Sequence, residues 1–187
     1  GKRERVITIE DSAELQLFHV ENLVRLETRN ANMEGENEIT MQDLITASLR
    51  MRPDRIIVGE VRGAEAMSML QALSTGHSGS VSSIHANSCR DALRRLETMV
   101  LMGMDMPLAA IQGLIASSVD ILIHLGRLTT GKRKILEKCE IKDYSRAEYD
   151  IRTLFQYKAG QTVSLEMTGK LFHTEKLKSY GQYENYC

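Results

Sequence analysis

The sequence has no tryptophan, only two prolines and only three cysteines in 187 residues. Cys89, Cys139 and Cys187 are an odd number without paired spacing. A disulfide framework is therefore not expected, and a reducing, cytosolic compartment is. No apolar run approaches the ~20 residues of a bilayer-spanning helix. No signal-peptide pattern opens the sequence either. Neither sign of charge dominates, since 24 basic residues face 25 acidic ones and the formal charge is -1. The net basic field of a nucleic-acid binder is thus missing, and no nucleic-acid partner is expected. Internal repeats, low-complexity tracts and long linkers are absent as well.

What is present suits an α/β domain with a real core and a small appendage: 42 % of residues are hydrophobic and 26 % charged. Ten methionines supply pliable packing. "RVITIE", residues 5–10, alternates apolar and polar and meets Asp11-Ser12, so it reads as a strand and a turn. "NLVRLETR", residues 22–29, is a second strand, with Val24, Leu26 and Thr28 on one face and Arg25, Glu27 and Arg29 on the other. Thr40 opens a helix with Asp43 as its capping-box partner, and Pro53 ends it. Ile56, Ile57 and Val58 are a β-branched run that reads as a buried strand. A helix over about 64–74 stops at Thr75-Gly76, and "GSVSSIHA", residues 79–86, is the next strand. Ser88 and Asp91 cap a further helix, Pro107 suits the first turn of another, and "VDILIHL", residues 119–125, returns to strand character.

Strand and helix alternate up to residue 125, which predicts a largely parallel sheet flanked by helices over 1–125. A β-rich extension over 126–187 follows, with a hairpin around Thr130-Gly131, a strand over 149–158 and a terminal helix over 171–180. Ligands of parallel sheets sit at the carboxyl ends of the strands. That rule places Glu10, Asp11, Glu60 and His85 at one rim, because each follows a strand.

A carboxylate at such a tip can polarise a water or help hold a metal ion. It can also simply pair with a neighbouring arginine, here Arg62 or Arg55. Glu10 and Asp11 could hold Mg²⁺ through waters, or Asp11 could cap its own turn. His77 and His85 flank one strand, about 25 Å apart if it is fully extended, and can be phosphate contacts or a turn and a capping residue. Arg25 and Arg29 share a strand face, and Arg50, Arg52, Arg55 and Arg62 surround the central strand as phosphate, interface or plain rim arginines. His85 and Cys89, four residues apart, are a weak zinc-like pair that His77 could join.

Taken together these segments resemble the type II/type IV secretion ATPases, which are RecA-like P-loop motors, and most of all the branch that assembles tight-adherence (Flp) pili. "VITIEDSAEL" is similar to that family's Asp box, "MRPDRIIVGEVRGAEA" to its atypical Walker B segment and "TGHSGSVSSIHANS" to its His box. "DALRRLETMVLM" and "IASSVDILIHL" also resemble that branch. The resemblance implies a RecA-like core with a β-rich C-terminal extension. It implies ATP and Mg²⁺ as cofactors, with Glu60 polarising the attacking water. Glu10 and Asp11 would hold Mg²⁺ through waters and His85 would contact the γ-phosphate, with His77, Arg25, Arg29 and Arg62 as further nucleotide or subunit-interface residues. It also implies a hexameric ring at the cytoplasmic face of the inner membrane, working on a membrane platform protein in secretion or pilus assembly.

One departure stands out. The phosphate loop G-x-x-x-x-G-K-[ST], whose amides cradle the phosphates and whose lysine reaches the β- and γ-phosphates, is absent. Gly1-Lys2 is followed by Arg3, and Gly131-Lys132 by Arg133. The chain is therefore expected to be a C-terminal piece of a motor, binding ATP weakly and hydrolysing none alone. The alternatives are a non-hydrolysing interaction module of the same machine and a metal protein built on His77, His85 and Cys89.

Overall fold

β-branched residues make the centre of the first sheet. In the computed structural model, which describes residues 4–77, 79–145, 148–158 and 164–175, β1 (Arg5–Glu10) lies between β2 (Asn22–Glu27) and β3 (Arg55–Val58). β4 (Val81–Ser82) adds to the far side of β3, and the order β2-β1-β3-β4 is parallel throughout. Ile7 and Ile9 are fully buried and Thr8 nearly so, as a central parallel strand covered on both faces requires. β2 is an edge strand, and there the expected alternation holds: Val24, Leu26 and Thr28 are half-buried, while Arg25, Glu27 and Arg29 are exposed.

The helices of this part start and stop on local chemistry. The Thr40 hydroxyl accepts the Asp43 N–H at 3.1 Å and the Asp43 carboxylate accepts the Thr40 N–H at 3.0 Å, which is the expected capping box. α1 (Met41–Ser48) then runs over β1, β2 and α2 (Ala66–Ser74), burying Ile45. Arg52 turns left-handed (φ 52°) before Pro53 and releases the chain into β3. α2 begins two residues later than expected, because Glu65 Oε1 turns back to accept the N–H groups of Arg62 (2.6 Å) and Gly63 (2.9 Å). α2 ends at Thr75 and Gly76, whose φ of +93° is glycine territory.

The expected strand over 79–86 shrinks to the two residues of β4. Its serines turn away from the ladder: Ser80 Oγ accepts the Ile56 N–H at 2.9 Å, and the Ser83 hydroxyl donates to the Gly59 carbonyl.

The described residues of 1–85 and 95–107 form one compact unit, and those of 86–94 and 108–187 another. The boundary falls within α3 (Cys89–Gly103), which Ser88 caps through the Asp91 N–H at 3.0 Å. The second unit holds α4 (Leu108–Ser118) and an antiparallel sheet, β5 (Ile121–Arg127), β6 (Arg133–Ser145), β7 (Glu148–Lys158) and β8 (Ser164–Met167), in that order. β5, which the alternation assigned to the parallel sheet, instead pairs antiparallel with β6. The tight turn Leu128–Lys132, with Gly131 at φ +80°, reverses the chain immediately after it, and a turn that short permits only an antiparallel partner. β8 carries no sequence signal of its own. The segment after it is fixed by Glu140, 1 % exposed, whose carboxylate accepts the N–H groups of Phe172 and His173 at 2.7 Å each. The terminal helix expected over 171–180 lies largely outside the described residues.

Candidate active site at the strand tips

Parallel strands bring their carboxyl ends to one edge, and the residues that follow β1, β3 and β4 meet there. Gly59 leaves β3 with its N–H on the Ile9 carbonyl (2.8 Å). A Cβ on Gly59 would stand 3.0 Å from Glu10 Cγ, so a larger residue there would press on the Glu10 side chain at the end of β1. Glu60 follows at once, and its side chain is 20 % exposed. Its Oε2 accepts from Arg62 Nη2 at 2.6 Å, and its Oε1 lies 3.1 Å from His85 Nε2. Arg62 Nη1 also reaches Asp11 Oδ2 at 3.6 Å, and Asp11 Oδ1 accepts from the Thr28 hydroxyl at 3.2 Å. Four sequence candidates, Asp11, Glu60, Arg62 and His85, therefore form one linked cluster.

The Arg62 guanidinium holds the Glu60 carboxyl below the usual range, first through the hydrogen bond. Burial opposes this, and the charges of His85, Arg62 and Arg95 reinforce it. The same bond raises Arg62 above its ordinary value. Glu60 is thus an ionised carboxylate, half-shielded and flanked on both oxygens, able to orient a water. Asp11 adds a second hard oxygen donor that is 54 % exposed, the donor type that suits Mg²⁺ held through water.

The remaining candidates stand elsewhere or do other work. Glu10 is 5 % exposed, and its Oε1 accepts the N–H groups of Glu14 (3.1 Å) and Leu15 (3.0 Å), which fixes the turn after β1. His77 sits at the other end of β4, its Nδ1 3.1 Å from the Ala72 carbonyl at the close of α2. Arg55 lies at the amino end of β3 and pairs with Glu4 at 2.7 Å, so of the two arginines that could neutralise Glu60, Arg62 does so. Arg25 is exposed on β2, and Arg29 Nε donates to the Asn37 carbonyl at 2.8 Å. The partners Thr28 and Ser83 have no sequence signal, because a hydroxyl at a strand end looks like any other. Among the described residues, no helix is long and apolar enough to cross a membrane.

Residues 1–177 match the family described as "Type II/IV secretion system protein". A putative conjugal transfer protein of Mycobacterium tuberculosis is 43 % identical over 134 residues, 72 % of this chain and 38 % of that protein. The type IV secretion system protein PtlH of Bordetella pertussis is 38 % identical over 128 residues, 67 % of this chain and 38 % of its own length. The crystal structure of the VirB11 ATPase from the Brucella suis type IV secretion system, in complex with sulphate, superposes with a TM-score of 0.66. That match has 34 % identity and covers 75 % of this chain and 41 % of the other. The pilus retraction motor PilT with bound ADP follows at a TM-score of 0.53 and 25 % identity, over 71 % of this chain and 37 % of that one. The chain thus spans less than half the length of these relatives. The likeness to VirB11 bears out the expected RecA-like α/β core with a β-rich C-terminal part. With the family matched across residues 1–177 and a relative at 43 % identity, the chain belongs to the type II/IV secretion system protein family.

Proposed function

We propose that this chain forms part of an ATP-hydrolysing motor of a bacterial secretion or pilus-assembly machine and supplies the water-activating side of its nucleotide site. The observation that carries the reading is the ionised Glu60 carboxylate, held between Arg62 and His85 at the strand tips beside Asp11. The VirB11 ATPase and the ADP-bound PilT motor support it as relatives of the same fold. ATP with Mg²⁺, when bound, supplies the phosphoryl group. Glu60 accepts a hydrogen from the attacking water and orients it. Asp11, with Glu10 behind it, would hold the Mg²⁺ through waters, and His85 would contact the γ-phosphate. Arg62 would contact phosphate or a neighbouring subunit, as would Arg25 and Arg29 from the edge strand. The motor works as a hexameric ring on the cytoplasmic face of the inner membrane, against a platform protein. His77 is not needed for this chemistry.

No G-x-x-x-x-G-K-[ST] loop occurs in the 187 residues, so the chain by itself is expected to release phosphate from ATP at the background rate. Joined to the phosphate-loop part of a secretion ATPase that carries one, it is expected to hydrolyse ATP, and Glu60→Gln to lower kcat by about 100-fold or more. A Glu60→Gln chimera as fast as its parent sinks the assignment.

A further inference from the structure

A second cluster of reactive side chains stands in the unit of residues 86–94 and 108–187. Cys89 opens α3, while Glu137 and Cys139 project from β6. The two thiol sulfurs and a Glu137 carboxylate oxygen all lie within 4.8 Å of one another. Both cysteines are buried, at 3 % and 1 % exposure, and Glu137 is half-buried.

Backbone contacts hold these groups in place. The Cys89 N–H donates to Glu137 Oε2 at 3.3 Å, which ties the start of α3 to the strand. On the β5 side the ladder pairs Leu122 with Cys139 and His124 with Glu137. His124 is therefore the direct cross-strand neighbour of Glu137, with Cβ atoms about 5 Å apart. Thr153 on β7 stands 3.7 Å from Cys139 Sγ. Two buried thiols alone would be small hydrophobic fillers. A carboxylate aimed between them is not, because it places an ionised oxygen against groups that repel it once they ionise.

A tetrahedral ion resolves that conflict. Zinc binds thiolate sulfur at about 2.3 Å and carboxylate oxygen at about 2.1 Å. Its ligand atoms therefore stand about 3.4–3.8 Å from one another, a spacing that lies inside the 4.8 Å span of the observed cluster. The sulfur donors select a soft or borderline cation over Mg²⁺. We propose that Cys89, Cys139 and Glu137 form a binding site for a divalent thiophilic cation, zinc by its ligand chemistry, with the fourth position flanked by His124. The ion would tie the first turn of α3 to β6. Binding releases the thiol protons to solvent and leaves both sulfurs as thiolates on the ion.

Of the trio suggested by sequence alone, His77, His85 and Cys89, the two histidines have other partners, while Cys89 stands with Cys139 and Glu137. His77 is held at the end of α2 and His85 at Glu60.

The test is a Co²⁺ titration of the full 187-residue chain, reduced and stripped of metal. A sulfur-to-cobalt charge-transfer band saturating at one equivalent, and displaced by Zn²⁺, is expected. Cys89→Ser and Cys139→Ser should each abolish the band, Cys187→Ser should leave it intact, and Glu137→Gln should weaken Zn²⁺ binding about 10-fold or more. Should a serine variant misfold, Glu137→Gln and zinc protection of the unaltered chain's buried thiols from alkylation decide the matter. No band in a chain of unchanged circular dichroism overturns the proposal. So does a band that survives in either serine variant, or a Cys89–Cys139 disulfide formed with no uptake of zinc.

Discussion

Arg62→Ala tests the strand-tip cluster most directly. Arg62 Nη2 donates to Glu60 Oε2 at 2.6 Å, and Nη1 stands 3.6 Å from Asp11 Oδ2. The three side chains are 64 %, 20 % and 54 % exposed for Arg62, Glu60 and Asp11, and that exposure sets the scale. Water screens the guanidinium, so the contact belongs with weak surface pairs rather than with buried ones, whose loss costs several times more. The direction of the pH dependence follows from Glu60, whose folded-state pKa lies below the ordinary 4.5. A depressed carboxyl contributes its stability above the unfolded pKa and loses it as the pH falls through the folded one. Arg62→Ala is therefore expected to lower stability slightly in urea unfolding at pH 7, as the loss of a screened surface pair does. The difference from the unaltered chain should shrink as the pH falls below 4.5. In carbon-13 NMR the Glu60 carboxyl should titrate at higher pH in the variant. A double-mutant cycle with Glu60→Gln should return a small favourable coupling between the two side chains. A loss that does not change with pH, or a Glu60 titration untouched by the substitution, refutes the reasoning.

Glu140→Ala strands the N–H groups of Phe172 and His173, each now 2.7 Å from a carboxylate that is 1 % exposed. At about 1–3 kcal/mol for each stranded donor, lowered as the freed segment reaches water, the expected loss is about 2–5 kcal/mol by chemical denaturation. Amide exchange at 172 and 173 should quicken, and a loss under 0.5 kcal/mol would count against the anchor. Gly59→Ala puts a Cβ 3.0 Å from Glu10 Cγ, on a side chain that is 5 % exposed and already committed to the Glu14 and Leu15 N–H groups. The expected cost is about 1–3 kcal/mol, read as a lowered Tm with faster proteolysis of the turn after β1. An unchanged Tm would mean that Glu10 moves freely.

Local patterns were legible in the sequence wherever the physics was local. The β-branched runs of β1 and β3, the Thr40–Asp43 capping box, Gly76 at the end of α2 and Gly131 in the hairpin act within a few residues of themselves. The strand-end rule for parallel sheets also brought Asp11, Glu60 and His85 to one edge, because topology alone fixes which ends align. Three features needed the folded chain. Arg55 is five residues before Glu60, about 16 Å along an extended strand, so geometry rather than residue type gave Glu60 to Arg62. β5 left the parallel series for β6 because a short turn follows it, and strand character does not say which neighbour a strand will take. Cys89 meets Cys139 and Glu137 only because α3 starts against β6, a contact between distant parts of the chain that no local periodicity encodes.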